Sequence, residues 1–373
     1  MREKMAGRRP FESLYIHVPF CHGKCDYCAF YSLGRYGRPE QEAYIHRMLV
    51  EMAERSSDCA TLRSVFFGGG TPTALDDDLF ERLLDGVRSH FRFSDDTEWT
   101  IEANPESLSE KKIAIMASHG VTRLSMGIQS FAPRTRMTLG RRGHLEGLES
   151  KVDAIRKAGI RHINFDFIYN VPGQTPDDFR MDLRKALMLR PDHVSAYALT
   201  IEEGTALATH ETALDDDDFL EFWRLADDIL AEGGLRRYEI SNFAKPDCKC
   251  RHNNDVWHGA TYLGIGPAAT SFDGMDRWTQ VSDLRKWLDG DTSEMDILPP
   301  DKRDAEILAF GMRTVDGWTW RQFAERTGVD AKSLRGKEIS RLQQLGLVMT
   351  DDNGIRPTAR GLLFNDEIVM ELL

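Results

Sequence analysis

Between Ser13 and Leu199 the chain alternates strand-like with helix-like segments, and this alternation limits the fold more than any other feature. Strand-like runs cover residues 13–20, 64–67, 98–102, 123–128, 162–168 and 193–199. Helical patterns fill the gaps at 39–54, 79–90, 109–118, 145–158 and 175–189. In the second of these, Leu79, Leu83, Leu84 and Val87 share one face, and Gly120 and Gly159 stand where helix C-caps belong. Such an alternation predicts an α/β domain with a parallel sheet and crossover helices. Six units are too few for a closed eight-stranded barrel, so the expectation is an open, partial TIM-like (β/α)6 barrel.

Polar residues gather at the C-terminal ends of the expected strands. Gly68-Gly69-Gly70-Thr71 follows the second, Glu102 ends the third, and Gln129 and Ser130 end the fourth. Asp166 lies in the fifth and Tyr197 in the sixth. The first strand runs directly into Cys21-His22-Gly23-Lys24-Cys25-Asp26-Tyr27-Cys28. That rim is where parallel α/β folds build sites, so the placement predicts a single site. Glu102 or Asp166 alone would read as a strand-end or capping carboxylate, and the glycine triplet alone as a tight turn. Together on one rim with the cysteines they read as a binding site.

Thiolates at the density of Cys21, Cys25 and Cys28 bind soft metal centres. A closed structural zinc site wants four ligands, and no fourth Cys or suitably spaced His follows in the loop. Zinc with a remote fourth ligand and three buried free cysteines are the competing readings. A [4Fe–4S] cube normally takes four Cys. Three leave one iron without a protein ligand, the open position that a reactive metal site needs.

With Leu14-Tyr15-Ile16-His17-Val18-Pro19-Phe20 before it, the CxxxCxYC run resembles the cluster loop of radical S-adenosylmethionine (SAM) enzymes. More narrowly, it is similar to the oxygen-independent coproporphyrinogen III dehydrogenases and their relatives, the HemW heme chaperones. The resemblance implies the partial barrel, a [4Fe–4S] cluster on Cys21, Cys25 and Cys28, and SAM chelating the open iron, where an electron from the cluster cleaves it. The block Phe66-Phe67-Gly68-Gly69-Gly70-Thr71-Pro72-Thr73 fits the SAM-contacting segment, with Gly69, Gly70 and Thr71 at the amino group. Glu102, Gln129, Arg141 and Asp166 match SAM-binding positions of the dehydrogenase branch, and Tyr15 and Tyr27 match further contacts there. Two SAM molecules bind in that branch; the number here is not legible in the sequence.

The resemblance continues through Pro172-Gly173-Gln174-Thr175, Ser195-Ala196-Tyr197, Ile201-Glu202-Glu203-Gly204-Thr205, Tyr238 to Ala244 and Gly264 to Ala268, and weakens after Asp273. Cys248-Lys249-Cys250-Arg251-His252-Asn253-Asn254-Asp255-Val256-Trp257 resembles the HemW signature HNxxYW, with Val256 in the tyrosine place. The motif makes His252 a candidate axial ligand for heme iron. Against this stands a histidine that hydrogen-bonds within the core. Cys248 and Cys250 read as incidental, since a CxCxH zinc site lacks a visible fourth ligand.

Composition narrows the partners. The 373 residues, 41% hydrophobic, suffice for a large core and a smaller domain. A formal charge of −12 argues against a broad nucleic-acid surface. No apolar run is long enough to span a membrane, the basic start at residues 1–10 lacks the apolar stretch of a secretory signal, and six Cys fit a reducing cytoplasm. The acidic run Asp215 to Asp218 reads as a helix start, with carboxylates at the positive end of the dipole.

Residues 1–288 are expected to form the radical SAM core with its extension, 289–300 a polar linker, and 301–373 a C-terminal domain. In the last, helical patterns at 304–313, 318–327 and 331–345 precede a hairpin at 348–357, marked by Asn353-Gly354, and an amphipathic segment at 358–373. This is a winged-helix-like order. With 11 basic and 12 acidic residues it lacks the footprint of a DNA reader and reads as a protein-contact or lid domain.

Three functions follow from the resemblance. The first is a HemW-type chaperone that binds the cluster, SAM and heme and passes heme to acceptor proteins. The second is a coproporphyrinogen III dehydrogenase. The third is a radical SAM enzyme acting on another porphyrin or heme. Dehydrogenases carry a fourth Cys two places after the third, where this chain has Phe30, and that favours the chaperone. A homodimer and a peripheral membrane contact are both compatible with the sequence.

Overall fold

A computed structural model describes residues 9–209, 216–291 and 293–373, with the side chains of Asp216 and Asp217 excepted. Of the acidic run, Asp215 therefore lies outside the described residues, as do residues 1–8 of the basic start. The core runs β1 (Phe11–Val18), α1 (Arg38–Arg55), β2 (Cys59–Gly69), α2 (Asp77–His90), β3 (Phe93–Ala103), α3 (Glu110–Ser118) and β4 (Arg123–Gln129). It continues with α4 (Pro133–Thr138), α5 (Leu148–Lys157), β5 (His162–Tyr169), α6 (Pro176–Met188) and β6 (His193–Ala198). Strands β1 to β6 are neighbours in chain order and all pair in parallel, the arrangement that the alternation predicts.

Period two decides what each strand offers to each side. In β4, Leu124, Met126 and Ile128 join the main apolar core beneath the outer helices, while Arg123 and Ser125 hydrogen-bond to side chains of the neighbouring strands β3 and β5. The helices carry local start signals. Thr175 caps α6 by accepting from Asp178 N at 3.2 Å, Asp178 returns the bond to Thr175 N at 2.9 Å, and Pro176 opens the first turn.

Short strands that the sequence pattern does not announce extend both edges. After α7 (Asp216–Glu232), β7 (Arg236–Arg237) and β8 (Asn242–Ala244) join β6. Beyond α8 (Arg251–Trp257), β9 (Tyr262–Ile265) pairs in parallel with β1 and is followed outward by β10 (Thr270–Phe272) and β11 (Arg277–Thr279). After α9 (Leu284–Asp289) comes β12 (Glu294–Asp296), paired antiparallel with β11. Among the described residues the sheet thus has twelve strands, and β12, from the stretch expected as a linker, stands at its edge.

The C-terminal region comprises α10 (Pro300–Gly311), β13 (Trp318–Thr319), α11 (Trp320–Thr327), α12 (Ala331–Gln344), β14 (Val348–Thr350), β15 (Gly354–Pro357), α13 (Ala359–Leu363) and α14 (Asn365–Leu372). A three-stranded sheet in the order β13-β15-β14 against helices is a winged-helix-like arrangement. Its core includes Leu308, Trp318, Phe323, Leu342, Ile355 and Ile368, together with Phe272 from the large sheet. Among the described residues no helix is long and apolar enough to cross a membrane.

Candidate functional site

The loop between β1 and α1 is pinned at its neck and its flank. Leu33 N donates to Pro19 O at 2.6 Å and Cys21 N to Leu33 O at 3.0 Å. Asp26 N donates to Leu139 O at 3.1 Å, and Leu207 N to Asp26 O at 2.7 Å. Leu139, Ile168, Val171, Leu199 and Leu207 form a small apolar cluster on which Tyr27 packs. The loop therefore stands on a built support rather than hanging over the barrel.

Cys21, Cys25 and Cys28 all face a cavity of about 460 Å³ at the C-terminal end of the barrel. Tyr27, Gly69, Gly70, Thr71, Glu102, Gln129, Arg141 and Asp166 line the same cavity. Eleven of the thirteen residues singled out from the sequence thus meet in one place. Tyr15 lies beneath it, with its hydroxyl 3.3 Å from His17 Nδ1, and its ionisation is opposed by burial and then by Glu102.

The glycines admit no side chain. A Cβ on Gly69, whose φ is +100°, would meet the His17 ring at 2.5 Å, and one on Gly70 would meet Phe20 O at 2.6 Å. Gln129 has φ +66°, strained for a non-glycine residue at the end of a strand, and the β4–β5 register shifts beside it.

Electrostatics divide the cavity. Burial raises the Cys21 and Cys28 thiols; a hydrogen bond to Thr71, whose Oγ1 is 3.0 Å away, opposes this at Cys21. Arg141 Nη1 donates toward Cys25 Sγ at 3.5 Å, and Nη2 donates to Asn104 Oδ1 at 2.6 Å. Asn104 Nδ2 in turn donates to Thr71 Oγ1 at 2.9 Å, so one amide braces both groups that touch the thiols. Across the cavity, burial and then the Asp166 carboxylate push Glu102 up to about 8. Asp166 is also raised by burial, although Ser125 Oγ and Asn164 Nδ2 each donate to it at 2.8 Å. Two buried carboxylates that repel each other, only partly offset by Arg141 at Asp166, suit a positively charged ligand.

These residues fit a cluster held by three thiolates. Among the described residues no three His, Cys, Asp or Glu side chains close on a single ion position. In a cube with one thiolate per iron, the ligands stand farther apart than around one ion. Thr71 and Arg141 supply donors to sulfur, as such ligands require.

His252 is elsewhere. It sits at the opposite, N-terminal end of the barrel and is 7% exposed. Its Nδ1 is 2.9 Å from Ser64 Oγ, its backbone N donates to Glu98 at 3.1 Å, and its ring lies 5.0 Å from that of Phe66. Burial lowers it to about 4. Residues of β1, β2 and β3 surround the imidazole that the sequence offers as a heme ligand. The neighbouring Cys250 is buried, with Sγ 3.6 Å from Glu98. Sequence reasoning assigned no role to Asn104, Ser125, Asn164 and Ser195. For Ser125, Asn164 and Ser195 the signal was present as polar residues at every second position of a strand whose other positions are apolar; Asn104 follows the end of β3.

A model of the radical SAM superfamily matches residues 15–186, and one of the HemN C-terminal domain matches 298–364. The heme chaperone HemW of Mycobacterium tuberculosis is 40% identical over 284 residues, covering 73% of this chain and 72% of that protein. The heme chaperone HemW of Haemophilus influenzae is 31% identical over 370 residues, covering 96% of each. Among solved structures, the radical SAM enzyme coproporphyrinogen III oxidase (HemN) of Escherichia coli superposes with a TM-score of 0.83 at 24% identity, over 98% of this chain and 90% of that one.

Proposed function

We propose that this chain, which belongs to the HemW heme chaperone family of the radical SAM superfamily, binds heme and delivers it to acceptor proteins while holding a [4Fe–4S] cluster and SAM. The observation that carries the reading is Phe30. It lines the cluster cavity and is 69% exposed, at the place where the oxidase-type relatives would present a fourth thiol.

In this reading Cys21, Cys25 and Cys28 hold the cluster. Thr71 and Arg141 donate to its thiolates, which offsets the burial that disfavours their charge. Gly69 and Gly70 let the backbone come close to a ligand, and Glu102 and Asp166 receive the positive charge of SAM. Gln129 offers an amide on the same wall, and Tyr27 closes the floor against the apolar cluster. Tyr15 acts from below through the packing of the barrel interior. When bound, the cluster and SAM supply one-electron chemistry.

The test uses the full chain, reconstituted anaerobically. Loaded with heme and mixed with an apo-hemoprotein, it should hand heme over, as read from the acceptor's spectrum. Given SAM, a low-potential reductant and coproporphyrinogen III, it should form no protoporphyrinogen IX by mass spectrometry. Decarboxylated product formed in step with SAM cleavage overturns the chaperone reading in favour of an oxidase.

A further inference from the structure

Arg141 lines two cavities. One holds the thiols; the other, open and about 640 Å³, is walled by Asp26 of the cluster loop and by Phe131, Arg136, Met137, Arg142 and His144. A recess of about 410 Å³ shares Phe131 and Leu145 with this second cavity and runs to Met188 on α6. Within a chain of net charge −12, this wall carries Arg136, Arg141 and Arg142; Arg136 donates to Ile128 O and Arg141 to Asn104, with the carboxylates of Asp26 and Glu106 close by, and Arg142 is the exposed cation of the three. Its apolar side is unusually open: Met137 is 76% and Met188 75% exposed. An exposed guanidinium beside an apolar recess matches a ligand with a flat apolar body and a carboxylate on its edge.

Two of the lining residues add iron chemistry. A thioether and an imidazole are both axial ligands of heme iron, and here Met137 and His144 stand exposed on one cavity. His144 lies in the turn between α4 and α5, and Met137 in the last turn of α4. Met137, Arg142 and His144 are all exposed, whereas His252 is enclosed by the barrel.

Resting on the heme-chaperone reading, we propose that heme binds in this second cavity, with Met137 and His144 facing the iron and Arg142 facing a propionate. The cargo then sits directly behind the cluster loop and shares Arg141 and Asp26 with it.

The experiment titrates the anaerobically reconstituted full chain with heme, followed by difference absorbance at the Soret band, and with metal-free protoporphyrin, followed by quenching of tryptophan fluorescence. Met137→Ala and His144→Ala should each weaken heme binding about tenfold and shift the Soret band, yet leave protoporphyrin binding unchanged. Arg142→Glu should weaken both ligands about tenfold. His22→Ala, on the exposed tip of the cluster loop, should change neither. Heme bound by the wild type and unaffected by all three cavity variants overturns the site while leaving the chaperone reading in place, as does loss of heme in His252→Ala alone in a protein that still melts cooperatively. A wild type with a full cluster and no affinity for heme overturns both.

Discussion

The two ends of the barrel use the same kinds of residue to opposite effect. At the N-terminal end, Glu98 pairs with Arg123 at 3.2 Å, Arg123 donates to Cys248 O at 2.8 Å, and His193 bridges Asn164 at 2.7 Å and Tyr238 at 2.9 Å. Most polar groups there find another protein group. At the C-terminal end, Glu102, Asp166 and the thiols are crowded into a cavity where like meets like. A polar interior therefore says little about function until its partners are counted. Paired with opposite charge, it plugs the barrel; crowded with like charge, it is built for a ligand.

The sharpest way to break this contrast is to remove one group from each end. Cys25→Ala should abolish cluster assembly after anaerobic reconstitution, with iron falling from about four per chain to near zero, while the thermal melt of the unreconstituted protein stays in place. A variant that keeps its full iron content would mean that Cys25 is no ligand. At the other end, Glu98→Ala leaves the buried Arg123 guanidinium without its counter-charge and should cost about 3–5 kcal/mol in denaturant unfolding. If that loss is below about 1 kcal/mol, the polar plug is not what secures this end.

The pH dependence should also run in opposite directions at the two ends. Glu102 is raised to about 8, so the folded chain holds its proton more tightly than the unfolded chain does, and its burial costs stability progressively as pH rises from 4.5 through 8. His252 is lowered to about 4, so its burial costs stability as pH falls from 6.5 through 4. Glu102→Gln should stabilise the ligand-free protein at pH 8 relative to pH 5, by on the order of 2 kcal/mol, and leave the acid limb unchanged. Chemical denaturation at the two pH values reads this directly; equal gains at both would remove Glu102 from the account.

How much of this was legible follows the same division. Strands β1 to β6 announce themselves because each is a continuous apolar-containing run between helices long enough to show period 3.6. Strands β7 to β12 are two to four residues long, too short for any periodicity, and form only because a sheet edge is there to pair with. The rim residues were legible because strand ends fix their height. The place of His252 was not legible for the converse reason: α8 has seven residues, and nothing local tells which end of the barrel it closes. The cavity behind Arg141 was not legible either: apart from Asp26 its lining comes from residues 131–145, but the turn after α4 is irregular and shows no periodicity that would tell which way its side chains face.

The smallest effect concerns the one departure from the signature around His252. Val256 and Trp257 line a cavity of about 170 Å³ together with Tyr262, Phe272, Arg277, Glu306 and Phe310, between the large sheet and α10. A tyrosine at position 256 has a ring to fill that space and a hydroxyl within the lining that Arg277 and Glu306 provide. Those two are already paired at 2.6 Å, so the hydroxyl joins a satisfied pair and leaves no new charge unpaired. Filling a void of this size in low-energy rotamers commonly yields gains of about 0.5–1 kcal/mol, and forcing a ring into too small a space costs more than that. Val256→Tyr is therefore expected to raise stability by about 0.5–1 kcal/mol, with Val256→Phe gaining less because its ring edge faces Arg277 and Glu306 without a hydroxyl. Heme affinity should not change in either variant, since this end of the barrel holds structure and the other holds ligands. A gain in heme affinity from Val256→Tyr without a gain in stability would join the two ends functionally and undo the division drawn between them.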